Sequence, residues 1–272
     1  MAVCEAWDAV LVSADAMQVY RGMDIGTAKP SAKEQERVRH EGIDLVEPDE
    51  PFDAAQFVAL AMRTLDEHPR VVVAGGTSLY LRALIRGLVQ TPTAPVGLRA
   101  ELEALADPHG ALMAVDPALA SRLHPNDRVR VIRGLEVHRL TGRPLSALQQ
   151  EHALEPDRVV ARGVWIDRED LRERIRKRLG LMRQSGYVQE VQGLLERGWG
   201  ADLKPMQSLG YRHLCDHLVN DLPIDEAFRR TERDTWQFAR KQRNWMRTLD
   251  FEPVHTEHRD AVFRAATLLW GS

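Results

Sequence analysis

Asp15 follows the apolar run Val10-Leu11-Val12, so a carboxylate stands at the C-terminal end of a short buried strand. A carboxylate there can take a proton from a nucleophile. It can equally cap the turn that follows. Gly75-Gly76-Thr77 succeeds a second apolar run, Val71-Val72-Val73-Ala74, and precedes an apolar helical stretch. Two glycines let backbone approach a ligand, and a helix start offers free N–H donors to an anion or polar group. The same three residues also make an ordinary tight turn. Arg174 and Arg178 are four apart, hence on one helix face. Two guanidinium groups there suit a departing anion, or simple pairing with Glu173 or Asp170 at a surface. Arg229, Arg230, Arg233, Arg240, Lys241, Arg243 and Arg247 crowd one segment against only Glu232 and Asp234. Arg240, Arg243 and Arg247 share a face at helical spacing, which fits either a phosphate-binding surface or a solvated helix. His213, Cys215 and His217 suggest metal ligands, but on a helix Cys215 points away from the two histidines, and no metal site is expected there.

The elements that must hold these groups are legible. Strands are predicted at residues 10–12, 43–46, 71–74 and 159–166. Helices are predicted at 32–40, 54–67 and 79–88, the second with Asp53 as N-cap and Phe57, Leu60, Ala61 and Leu65 as its apolar stripe. Strands alternating with helices indicate a parallel sheet, with the strand at 71–74 buried on both faces. In such sheets ligands bind beyond the carboxyl ends of the strands, where Asp15 and Gly75-Gly76-Thr77 fall. After the linker Thr91-Pro92-Thr93-Ala94-Pro95 no strand is visible until residue 159, and short helices are predicted at 98–105, 117–123, 129–140 and 145–149. Longer arginine-rich helices follow at 169–185, 187–197, 210–218 and 225–247. Three segments are therefore expected: an α/β core from 1 to 93, a helical insertion from 94 to 155, and a return from 156 to 272.

The 272 residues are 44% hydrophobic and 28% charged, enough to bury a real core, with a formal net charge of −3. That balance gives no global affinity for polyanions, so a nucleic-acid site has to be a local cluster. Two cysteines, Cys4 and Cys215, exclude a disulfide framework. No apolar run reaches the roughly 20 residues that span a bilayer. The first residues carry acids and no basic n-region. A cytoplasmic, monomeric protein free of the membrane is expected.

The segment Ser13-Ala14-Asp15-Ala16-Met17-Gln18-Val19-Tyr20-Arg21-Gly22-Met23-Asp24-Ile25-Gly26-Thr27-Ala28-Lys29-Pro30 resembles, almost residue for residue, the signature of the tRNA dimethylallyltransferases. The resemblance continues through Gly75-Gly76-Thr77-Ser78-Leu79-Tyr80, His124-Pro125-Asn126-Asp127, Arg133-Gly134-Leu135-Glu136-Val137, Gly210-Tyr211-Arg212 and the stretch from Ala239 to Arg247. It spans essentially the whole chain. It implies a nucleotide-kinase-like (P-loop NTPase-like) parallel sheet flanked by helices, carrying an all-helical insertion. It also implies transfer of a dimethylallyl group from dimethylallyl diphosphate to N6 of the adenosine beside the tRNA anticodon, with Mg2+ and release of diphosphate.

By the same resemblance Asp15 is the base that takes the N6 proton, and Thr77 stands against tRNA at the base pocket. Arg178, with Arg174, reaches the diphosphate. Ala16, Met17 and Gln18 lie beside the pocket. Arg99, Val129, Arg130, Arg133, Gln207, Gly210, Tyr211, Arg212, Arg240, Lys241, Arg243 and Arg247 fall at tRNA-contacting positions. The family pattern opens with a strand and a Gly-Pro-Thr-Ala-Ser-Gly-Lys-Ser/Thr loop, whereas residues 2–9 here read as the tail of the helix that follows that loop. The expectations are either slower transfer than with the loop, or a tRNA-binding remnant. A nucleotide kinase, suggested by the core alone, needs the same loop. Smaller departures are Ala16 in place of a usual Ser, Val129 in place of Gln, Trp236 in place of Arg, and a shortened insertion around 106–111.

Overall fold

In a computed structural model of the chain, residues 1–95, 97–249, 251–255 and 259–270 are described. They form two compact units, one made of Met1–Leu84 with Val160–Ser272 and one of Ile85–Val159.

The first unit begins with α1 (Ala2–Trp7), β1 (Val10–Ser13), α2 (Ala32–Arg37), β2 (His40–Glu41), α3 (Ala54–Glu67), β3 (Val71–Ala74) and α4 (Ser78–Arg86), whose last two residues pass into the second unit. The strands lie in the order β2-β1-β3 and both pairings are parallel. Val10 pairs with Val71 and Ser13 with Ala74, so β1 and β3 end level and their following loops leave side by side. Val12 and Ala14 are fully buried. Asp53 caps α3 by accepting from the N–H groups of Ala55 and Gln56, and Gln56 returns a bond to the Asp53 N–H. Such a capping box is worth about 1 kcal/mol. The α3 stripe buries Phe57, Leu60 and Ala61, and Phe57 stacks on Tyr80 of α4 at 4.5 Å.

Two expected strands move. The apolar stretch at 43–46 is not extended. Gly42 and Asp44 both take positive φ, +86° and +53°, and break the run after the two-residue β2. Gly42 is needed because a Cβ there would lie 2.9 Å from the Ser13 carbonyl oxygen. Val46 keeps one bridge to Tyr20. Nor is β3 buried on both faces. It is the outer strand of the described three, and Val71, Val72 and Val73 are half-buried.

The second unit holds α5 (Leu98–Glu103), α6 (Pro108–Val115), α7 (Pro117–Ala120), α8 (Arg128–Thr141) and α9 (Leu145–His152). Leu112, Ile132 and Val137 are its fully buried centre. Helix α6 was not anticipated, although Asp107-Pro108 is an N-cap followed by proline at the first helical position. Asp116 is completely buried and holds α7 to α9: it accepts from the Leu119 N–H, the Ser146 N–H and the Ser146 hydroxyl.

The first unit resumes with β4 (Val164–Asp167), α10 (Leu171–Gln184), α11 (Tyr187–Glu196), α12 (Tyr211–Val219), α13 (Ile224–Met246), β5 (Glu252–His255) and α14 (Arg259–Trp270). The strand expected at 159–166 starts late, because β4 finds its parallel partner, β5, only from Val164 onward.

Candidate active site and basic helix

Asp15 sits two residues beyond β1, in a turn of its own making. Its Oδ1 accepts from the Met17 N–H at 2.8 Å and the Gln18 N–H at 3.3 Å. The turn uses one carboxylate oxygen, Oδ1. The neighbouring loop is laced to this one. Ala14 N–H donates to the Ala74 carbonyl and Thr77 N–H to the Ala14 carbonyl. Thr77 Oγ1 accepts from the Ala16 N–H at 2.9 Å. The Thr77 hydroxyl therefore serves the Asp15 loop. Gly75 makes the approach possible: a Cβ there would lie 2.3 Å from the Ala14 carbonyl oxygen. Gln18 completes the frame, accepting from Ser13 Oγ at 2.8 Å and donating to the carbonyls of Thr27 and Ala28.

A cleft of about 340 Å3 opens at these strand ends, lined by Ser13, Asp15, Gln18, Ala74 and Gly75. A second, of about 490 Å3, is lined by Arg178, Leu181 and Met182 of α10 and by Asp44, and both clefts touch Ala28, Lys29 and Pro30. Burial of its guanidinium lowers the Arg178 pKa, and the Asp15 carboxylate opposes that shift. Arg178 remains a cation. Exposed as a whole residue, it combines a solvent-facing stem with a crowded head. Arg174 is exposed one turn earlier. Asp170 is engaged chiefly by Arg168 through two bonds of 2.8 Å, with Arg174 adding its field in lowering that carboxyl's pKa. Lys29, which might seem a diphosphate ligand, is buried and committed: its ammonium donates to Asp24 and Asp44 at 2.6 Å each and to the Tyr20 carbonyl at 2.8 Å.

Helix α13 divides in two. In its first half Arg229 and Arg230 pair with Glu226, and Arg233 with Asp234. In its second half Arg240, Lys241 and Arg247 are exposed and form no ion pair among the described residues. Arg243, expected on the same phosphate-facing row, is half-buried and bonds the buried Asp167 of β4 at 2.6 Å. Gln242 turns toward the strand ends and donates to the Gly76 carbonyl at 2.8 Å.

Other expected tRNA contacts are placed differently. Gly210 and Tyr211 are buried, and the Tyr211 hydroxyl donates to Glu190. The side chains are packed because Gly210 lies under Tyr187, where a Cβ would be 2.4 Å from the phenol oxygen. These two residues thus support the site from beneath. Arg212 bonds Asp234 and keeps 40% of its side chain exposed; Gln207 is exposed and donates to the Ala201 carbonyl. In the helical unit Arg99 and Arg133 both face the buried Glu136, at 3.6 and 3.1 Å. Arg130 pairs with Asp127 at the start of α8, and Val129 beside it is exposed.

His213 and His217 do not converge. The first bonds Asp234 and the second bonds the Leu222 carbonyl. Among the described residues no group of three or more His, Cys, Asp or Glu could hold a metal ion. A hard divalent cation can still arrive on phosphates, keeping water and using one or two carboxylates. Sequence reasoning missed Glu190, Gln242 and Asp167. Each is one polar residue on an amphipathic element, with no local signal of its long-range partner.

A profile of the IPP transferase family matches residues 18–249. The tRNA dimethylallyltransferase of Geobacter metallireducens is 46% identical over 260 residues, 91% of this chain and 84% of the relative. That of Geobacter sulfurreducens is 45% identical over 257 residues, 90% and 83%. Among solved structures, the tRNA delta(2)-isopentenylpyrophosphate transferase of Staphylococcus epidermidis superposes with a TM-score of 0.70 at 28% identity, covering 99% of this chain and 93% of that one. The tRNA isopentenylpyrophosphate transferase of Bacillus halodurans gives 0.69 at 31% identity, covering 99% and 90%.

Proposed function

The chain belongs to the IPP transferase family, and on that premise we propose that it is a transferase that moves a dimethylallyl group from dimethylallyl diphosphate to N6 of the adenosine adjacent to the anticodon of tRNA, releasing diphosphate. The carrying observation is the pairing of Asp15 with the Gly75–Thr77 loop at the mouth of one cleft.

An adenine amine is a weak nucleophile because its lone pair is shared with the ring. As N6 forms its bond to C1 of the dimethylallyl group, the C1–O bond to diphosphate breaks and one N6 proton has to leave. Asp15 receives it. With Oδ1 held by two backbone N–H groups, Oδ2 is the oxygen turned to the proton. The electron pair of the broken bond departs with diphosphate, and Arg178 places positive charge where that negative charge grows. Arg174 adds a second cation on the same face. Reaching the cleft requires the adenine to leave its loop stack, a cost of about a few kcal/mol.

Mg2+, if bound with the diphosphate, would supply further positive charge to the leaving group beside the cleft lined by Ser13, Asp15 and Gln18. Arg240, Lys241 and Arg247 are proposed to follow tRNA phosphates, with Arg99, Arg130, Arg133 and Arg212 as further contacts if their carboxylate partners release them. No helix of the described residues is long and apolar enough to cross a membrane. The cytoplasm, where tRNA resides, is the compartment this reading implies, with the chain acting as a monomer. The test is mass analysis of tRNA nucleosides after incubation with folded chain, dimethylallyl diphosphate and magnesium. Dimethylallyl-adenosine is expected, and its absence would refute the reading.

A further inference from the structure

The loop that carries Asp15 does not end near it. It runs on through Asp24, Ile25 and Gly26, whose three backbone N–H groups point the same way, a concave arrangement that binds anions. No external anion is needed here, because the Glu190 carboxylate of α11 fills the nest. Its Oε2 accepts from Asp24 N–H at 2.9 Å and Ile25 N–H at 2.6 Å, and its Oε1 from Gly26 N–H at 3.1 Å and the Tyr211 hydroxyl at 2.6 Å. Each oxygen thus has two donors. The contact is close-packed as well: a Cβ on Gly26 would lie 2.2 Å from the Tyr187 ring and 2.5 Å from the Tyr211 ring. Those rings meet edge to face at 5.1 Å.

Hydrogen bonds connect this anchor to the base. Immediately after the nest come Thr27 and Ala28, whose carbonyls accept from Gln18 Nε2. Gln18 Oε1 accepts from Ser13, and Gln18 N–H donates to Asp15 Oδ1. We propose that Glu190 is a positioning residue for the transfer reaction: by occupying the Asp24–Gly26 nest it fixes the Gln18 frame and so the direction of the Asp15 carboxylate. Glu190 itself touches neither substrate nor the reacting atoms. The inference rests on the transfer reaction proposed above for its kinetic consequence, and on the structure alone for its conformational one.

Glu190→Gln keeps the shape and removes half the acceptors, because an amide offers one oxygen where the carboxylate offers two. Two of the four donors then face an NH2 group. Small misplacements of a reacting group cost large factors in rate. Expected for E190Q, at matched folded fraction, are a kcat lower by about tenfold or more and a KM for tRNA within about twofold of wild type, since no cation facing tRNA is changed. Backbone amide exchange should quicken both at residues 24–26 and, through the Gln18 link, at residues 15–18. Tyr211→Phe removes one donor and leaves the nest filled, so it should lower kcat less and also spare KM; it serves if E190Q folds poorly. Unchanged kcat in E190Q, a rise in KM in place of a fall in kcat, or unaltered exchange at residues 15–18 would overturn the inference. A wild-type chain without transfer activity would instead count against the proposed reaction, and the exchange measurement would then decide the role of Glu190 by itself.

Discussion

Gln242 donates its side-chain amide to the backbone carbonyl of Gly76 at 2.8 Å. The bond ties the exposed basic end of α13 to the loop that faces Asp15. Its neighbours Arg240 and Lys241 point outward and Arg243 is locked to Asp167. If tRNA lies along this end of the helix as proposed, the Gln242 bond couples its engagement to the position of the Gly75–Thr77 loop. Gln242→Ala should lower kcat several-fold while changing tRNA affinity less than about twofold, because a neutral hydrogen bond of about 1 kcal/mol is lost and no charge is. Gly76→Ala should behave alike, since its new methyl would stand 2.2 Å from the Gln242 amide nitrogen and displace it. Parallel single-turnover and filter-binding measurements check both; a large loss of affinity in either variant would contradict the arrangement.

Asp15→Asn removes the proton acceptor and leaves every basic side chain in place. Transfer should fall by about a hundredfold to ten-thousandfold, with tRNA binding nearly intact. The amide oxygen of Asn can still accept from Met17 and Gln18 N–H, so the turn should survive. Turnover equal to wild type would remove Asp15 from the role of base.

Affinity for tRNA should fall steeply with salt. Neutralising Arg240 and Arg247 together should flatten the slope of log affinity against log salt by up to about two units, one per phosphate contact. Arg243→Gln should act differently, lowering thermal stability by removing the ion pair between Arg243 and the buried Asp167. Its effect on the salt slope should be the smaller one. A salt slope unmoved by the Arg240 and Arg247 pair would show that this end of α13 does not meet the nucleic acid.

The cluster of His213, Asp234, Arg212 and Arg233 makes stability depend on pH. Burial pushes the His213 imidazole below its ordinary value, against the pull of Asp234. Burial would raise Asp234, yet Arg233, Arg212 and His213 hold it down at about 2. Both groups therefore bind protons more readily when unfolded, and stability is lost as pH falls. For His213 the loss begins as pH drops through about 6.5, the ordinary histidine value. For Asp234 it runs from about 4 down toward 2. Denaturation midpoints measured from pH 8 to pH 4.5 should decline less in His213→Gln than in wild type; an identical decline would assign the effect elsewhere.

The helical unit offers a separate test of stability. Asp116→Ala leaves the Leu119 and Ser146 N–H groups and the Ser146 hydroxyl without their acceptor in a fully buried place. The cost should be about 3 kcal/mol or more, read as a shift of the denaturant midpoint. A change under 1 kcal/mol would mean water replaces the carboxylate.

Much of this was legible in the sequence wherever the determinant is local. The β1 and β3 runs, the Asp53 cap and the α3 stripe all follow from neighbouring residues, whereas the level ends of the two strands come from their pairing across the sheet. The signature around Asp15 carried the family. What escaped was set by partners far along the chain. Strand β5 contains Pro253, which argues against a strand until β4 supplies its ladder. The stretch 43–46 buries only Ile43 and does not extend, because Gly42 turns the backbone first. Tyr211 falls at a tRNA-contacting position by resemblance, and in the structure it is buried against Tyr187 and bound to Glu190, 21 residues away in sequence. Likewise no spacing rule could tell that Arg243, alone of its row, meets a buried carboxylate.

The chain holds five lysines, and Lys33, Lys177, Lys204 and Lys241 are exposed while the Lys29 side chain is buried and its ammonium has three partners at 2.6–2.8 Å. An amine-acylating reagent should therefore mark the α-amino group and the four exposed lysines at once and leave Lys29 silent, the last label to appear. The mass of the fully labelled protein then reports the signature loop directly. A late label on Lys29 measures how often residues 20–44 open, without nucleic acid or donor present, and gives an internal clock for the ordering of the site.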